Sequence, residues 1–164
     1  MTYLRTYARV LLPVVALMLA LSVTSPALAA PPKFGVVPGV GIGPVSVGDT
    51  RAELAASLGK PEQEGSVWAY TVRAKGREGV VKVLFDGQRA ENVFTVDPAF
   101  VYRGVRVGDD SDEAISTLRG NGFLSGRCGP ARALYTPDER TMFGLYRGEV
   151  EHIFVVRDSG ACGA

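Results

Sequence analysis

A pattern in the first half of this chain returns 60 residues later, and that period constrains the fold more than any other feature. Val45-Ser46-Val47-Gly48-Asp49 returns as Val105-Arg106-Val107-Gly108-Asp109. Glu53 and Leu58 return as Glu113 and Leu118, and Val93-Phe94 returns as Ile153-Phe154. A fixed internal period means one supersecondary unit used twice, with the copies burying together a face that neither could bury alone.

Each unit opens with a short extended stretch, and Gly-Asp then leads into a helix. In the first unit Thr50-Arg51-Ala52-Glu53 is a capping box, with Thr50 and Glu53 placed to satisfy each other's backbone amides. In the second, Asp110-Ser111-Asp112-Glu113 puts carboxylates at the same offsets, where they also suit the helix dipole. Both helices stop at glycine, Gly59 and Gly120. At about ten residues neither helix would hold alone, so its apolar stripe must pack on a sheet. The first unit supplies strands at Val67 to Val72, Val80 to Phe85 and Glu91 to Val96, with a hairpin signal at Asp86-Gly87. The second supplies Ala133 to Thr136, Thr141 to Tyr146 and Val150 to Arg157, with a turn at Arg147-Gly148. The expected class is α+β: two tandem helix–three-strand repeats forming one antiparallel sheet with the helices on one face. The repeats span 44–97 and 98–164, after a Gly/Pro-rich lead-in at 30–43.

Residues 1–29 read as a secretory signal peptide. Arg5 and Arg9 form the basic start, Val10 to Val23 the apolar run, and Ala27-Leu28-Ala29 the cleavage signal. The apolar run is shorter than the roughly 20 residues that span a bilayer. The expected location is therefore secreted, extracellular or in the cell envelope. Without Arg5 and Arg9 the chain carries 16 basic and 17 acidic residues. That balance argues against nucleic acid as a partner, and no polybasic run is present to hold an anionic membrane. No stable membrane anchor is expected, and a monomer suffices to complete the sheet. Arginine outnumbers lysine, and Ala, Gly and Val are plentiful, a composition typical of a high-GC bacterial genome. Cys128 and Cys162, an even pair in an exported chain, read as a disulfide. The loop it closes, about 35 residues, is worth roughly 3.5–4 kcal/mol in the chain-entropy model.

Helices on one side leave the other face of the sheet open. Trp68, Tyr70, Phe94, Phe143 and Phe154 are the candidates to line it, or else to lie beneath it as core. Trp68 and Tyr70 share one side of their strand and Ala69 takes the other. Small side chains suit a close-packed helix, which favours exposure of the Trp68 side. Aromatic residues exposed together would mark a binding surface.

Catalytic chemistry finds little support. His152 is the only histidine, the counterpart of Asn92 in the first unit, and no nucleophile elbow accompanies it. The Asp109-to-Glu113 cluster lacks the alternating calcium loop and is explained by capping. Gly39-Val40-Gly41-Ile42-Gly43 is followed by Pro44 rather than by a helix, so it cannot cradle a phosphate. No catalytic residue, metal site or cofactor is expected, and the chain is not read as an enzyme.

The segment Val47 to Pro61, with Trp68-Ala69-Tyr70 and Leu84-Phe85-Asp86-Gly87 after it, resembles the repeat of the outer-membrane assembly lipoproteins and the β-lactamase inhibitory proteins. The two-copy arrangement is similar to the inhibitory proteins of soil actinobacteria. Coverage runs from about residue 43 to 157, and the second unit matches only at Gly108, Asp109, Glu113 and Leu118. The lipidated cysteine of the assembly proteins is missing, and there is one Cys pair where the inhibitors carry one per repeat. The resemblance implies non-enzymatic work. One form is a secreted module that binds an extracellular or envelope protein through the open sheet face and inhibits an extracellular enzyme. The other is a structural or assembly accessory of the cell envelope.

Overall fold

The computed structural model describes residues 33–160. Residues 1–32, where the signal peptide is expected, and Cys162 lie outside the described residues, and the expected Cys128–Cys162 pairing with them. In chain order the elements are β1 (Val36–Val37), β2 (Gly41–Ile42), β3 (Val45–Ser46), α1 (Arg51–Leu58), β4 (Val67–Ala74), β5 (Arg77–Asp86) and β6 (Arg89–Thr95). There follow α2 (Ser111–Arg119), β7 (Leu124–Cys128), β8 (Ala131–Tyr135), β9 (Thr141–Tyr146) and β10 (Glu149–Val156). Among the described residues no helix is long and apolar enough to cross a membrane.

This corrects the expected architecture. Strands and bridges make up 48% of the described residues and helices 13%, so the fold is mostly β rather than α+β. There are two sheets, not one: three short strands in the order β1-β2-β3, and seven in the order β4-β5-β6-β10-β9-β8-β7. The small sheet comes from the Gly/Pro-rich lead-in. Its strands are too short for an alternating pattern to show. They fold tightly because Gly41 lets the chain pass where a Cβ would strike the Val45 carbonyl. The second unit has four strands after its helix, not three. In the first unit the segment equivalent to β7 shrinks to one bridge, Gln63 to Ala69. Pro61 stands just before it and has no N–H to give to a ladder.

Local structure nevertheless recurs 60 residues apart in detail. Ser46 N–H donates to Asp49 Oδ2 at 2.8 Å, and Arg106 N–H to Asp109 Oδ2 at 2.9 Å. Gly48 N–H donates to the Ala90 carbonyl at 2.7 Å, and Gly108 N–H to the Val150 carbonyl at 2.8 Å. Ala90 and Val150 return the bond to the carbonyls of Asp49 and Asp109. Both glycines sit at φ 90, a conformation a side chain would strain. Each turn therefore fixes the start of its helix to the closing strand of its own unit. The caps form as the spacing predicts. Thr50 Oγ1 accepts from Glu53 N–H while Glu53 accepts from Thr50 N–H. Asp110 accepts from the amides of Asp112 and Glu113. One residue bulges from each closing strand, Glu91 on β6 and Glu151 on β10.

The two units join at β6 and β10, which run antiparallel with Phe94 directly opposite Phe154. Phe154 is Phe94's own counterpart, so a local twofold axis passes between these two rings. Both helices and the small sheet supply one core with the first face of the large sheet. Leu54 of α1, Leu118 of α2, Ile42 of β2 and Val45 of β3 join Val81, Val83, Val93, Phe143 and Ile153 in it, all at most 1% exposed.

Candidate functional site

In an antiparallel ladder, residues directly opposite each other point to the same side. Trp68 lies opposite Val83, Tyr70 opposite Val81 and Phe143 opposite Ile153. All three therefore point at the helices and belong to the covered face. Tyr70 is 2% exposed and Phe143 is fully buried. Phe143 packs edge-on against Phe123, at 5.6 Å between centroids. Trp68 is half-buried under α1, where the Arg51 guanidinium lies 5.3 Å from its ring and 4.4 Å from that of Phe85. The Trp68 side is thus the core side. Ala69, rather than Trp68, points away from the helices, because valines fill the helix-facing rows and the large rings close the core at its margin.

The other two candidates come together on the open face. Phe94 and Phe154 stack with centroids 4.8 Å apart and planes 6° apart, at the centre of the seven strands. A continuous cross-strand row runs through them: Ala69, Lys82, Phe94, Phe154, Met142, Tyr135 and Leu124. Lys82, Phe94, Phe154 and Tyr135 are half-buried and Leu124 is 48% exposed. The Lys82 ammonium lies 5.9 Å from the Phe94 ring, within the range where a cation is drawn to an aromatic face.

His152 completes this centre and was not singled out as a site residue from the sequence. Its ring stands edge-on to Phe154 at 5.3 Å, and its Nδ1 lies 3.5 Å from Glu151 Oε2. Directly opposite it is Gly144, where a Cβ would occupy the space of the imidazole. Burial lowers the pKa of His152, with Glu151 opposing that shift. The alternation of β10 put His152 and Phe154 on one side, which was the available signal. Lys82, Met142 and Tyr135 carried none, since only register across strands aligns them with Phe94.

Elsewhere, burial raises the pKa of the Tyr70 hydroxyl, which has no hydrogen-bond partner among the described residues. Asp49, half-buried in its turn, is also raised by burial against the lowering effect of the Ser46 amide. Among the described residues no three His, Cys, Asp or Glu side chains gather as a metal site would require. The open face offers flat aromatic area, the Lys82 ammonium and a partly buried imidazole. Those groups suit binding.

No known protein family and no curated protein matches the chain. Among solved structures it is similar to an extracellular protein containing an SCP domain from Bacillus anthracis str. Ames, at 12% identity and a TM-score of 0.42. The similarity covers 68% of this chain and 44% of that one.

Proposed function

We propose that this chain is an exported, non-enzymatic protein-binding module that engages its partner through the open face of the seven-stranded sheet. The observation that carries the reading is the Phe94–Phe154 stack, half-buried at the centre of the sheet and flanked by Lys82 and His152. Aromatic residues central to a patch, with polar groups around them, are the composition of interface hot spots. Rigid strands also hold such side chains in place before binding, which lowers the entropy lost on association. The signal-peptide pattern and the resemblance to secreted inhibitory proteins point the same way, and make an extracellular enzyme the first partner to seek. The test is affinity capture from secreted and envelope fractions with the exported chain, beside a Phe94→Ala/Phe154→Asp variant. A stoichiometric partner lost in the variant supports this surface, and enzyme inhibition is then assayed directly. A partner retained by the folded variant would refute it.

A further inference from the structure

The large sheet ends in two edges that differ. Beyond β4 stands the Gln63 bridge, with Glu62 N–H donating to the Ala69 carbonyl and Ala69 N–H to that of Gln63. Glu62 also reaches Arg73 of β4 at 3.9 Å. Beyond β7 nothing comparable stands among the described residues. From Leu124 to Arg127 the backbone hydrogen bonds run to β8 alone. Every second residue of such an edge strand turns its N–H and C=O outward, and an extended segment can add there as a further strand.

The charges along this edge indicate what would add. Residues 114–137 carry Arg119, Arg127 and Arg132 and no Asp or Glu, in a chain otherwise near neutral. Arg127 and Arg132 lie directly opposite each other on β7 and β8. Both are exposed, and no carboxylate lies within 4 Å of either guanidinium among the described residues. Like charges directly opposite disfavour a strand pair, and here the Arg127 Nη2 donates to the Pro130 carbonyl of the hairpin turn at 3.1 Å rather than to a carboxylate. Beside it a hollow of about 730 Å³ lies between Arg119, Phe123, Leu124 and Tyr135. It could take an apolar side chain of the added strand.

We propose that β7 is a strand-addition site for an extended acidic peptide segment of a partner protein. Backbone pairing to Leu124–Arg127 supplies the main contact, and carboxylates of the segment relieve the Arg127–Arg132 repulsion. A second copy of this chain is the poorer occupant, because β7 against β7 brings more arginine to the same edge. The site meets the open face at Leu124 and Tyr135, but it rests on the β7 backbone and its arginines rather than on the Phe94–Phe154 stack, so the loss of either reading leaves the other testable.

The test uses the full chain, produced by export, and a fluorescein-labelled peptide, Thr-Glu-Val-Glu-Val-Glu-Thr. Anisotropy at low salt should show saturable binding that weakens as salt rises. Arg127→Glu, which places a carboxylate opposite Arg132, should keep or raise the melting temperature yet weaken peptide binding by about tenfold or more. Arg127→Lys should largely retain binding. Amide exchange should slow at 124–127 on binding and stay unchanged at Ala69. Equal affinity for a peptide with lysine in place of glutamate would overturn the proposal, as would unchanged affinity in Arg127→Glu. Equal binding by the peptide N-methylated at alternate residues would show charge attraction without strand pairing, and overturn it too. Dimerisation through β7 would do the same, by giving the edge to a second copy.

Discussion

Replacing Gly144 by alanine gives a test of the open face that reverses sign with its background. A glycine inside a strand ordinarily costs stability relative to alanine, by roughly 0.5–1 kcal/mol. Gly144 lies in the interior of β9, so propensity alone favours the substitution. Yet the His152 ring occupies the space where the alanine Cβ would go. The ring must move, giving up its edge contact with Phe154 and its approach to Glu151. Overpacking of this kind costs about 1–3 kcal/mol. The net expectation for Gly144→Ala is a loss of roughly 1–2 kcal/mol. In a His152→Ala background the obstruction is absent, and the same substitution should stabilise by about 0.5 kcal/mol. Urea unfolding of the four proteins, fitted with a common m-value, gives the coupling directly. A coupling below about 0.5 kcal/mol would be within ordinary additivity and would refute the placement of His152 over Gly144.

Three further outcomes follow from the same geometry. Asp110→Ala removes the acceptor for two amides at the start of α2 and should cost about 1 kcal/mol, a drop of roughly 3–6 °C in thermal melting; no change would mean that the cap is idle. Burial holds the His152 pKa below its unfolded value, so the folded state binds fewer protons. Stability should therefore be full above the unfolded pKa of about 6.5 and fall as pH drops through it toward the folded pKa. His152→Gln should flatten melting between pH 7 and pH 5, and an identical slope would exclude this histidine as the cause. Asp49 has the opposite sense: its folded pKa is raised, so its ionisation opposes folding as pH rises past the unfolded value. Asp49→Asn keeps an acceptor for the Ser46 amide without the charge and should melt no lower than the parent at pH 7, whereas Asp49→Ala should melt lower.

Much of the fold is legible because its signals are local. Thr50 with Glu53 and Asp110 with Glu113 mark helix starts, since caps are satisfied within one turn of chain. Asp86-Gly87 and Arg147-Gly148 mark hairpins because the bend itself needs those backbone angles. The Gly-Asp turns at 48–49 and 108–109 show the duplication because each repeats the same local hydrogen bonds. β7 was not legible: Leu124-Ser125-Gly126-Arg127-Cys128 has no apolar alternation and is a strand because β8 lies beside it. The two-residue strands β1 to β3 are likewise made by their pairing.

The candidate site divides in the same way. Period-two alternation determined that Trp68 and Tyr70 share a side, and that His152 and Phe154 share one. It could not determine which side faces water, because a strand pattern is unchanged when its two faces are exchanged. That was decided where α1, α2 and the small sheet packed, since those elements cover one face and leave the other. Register between β6 and β10 then set Phe94 against Phe154, and register between β7 and β8 set Arg127 against Arg132. Sequence by itself determined the caps and the turns, which are short-range properties of the backbone. Only the tertiary structure decided which aromatics are core and which form a surface, because that depends on partners far away in the chain.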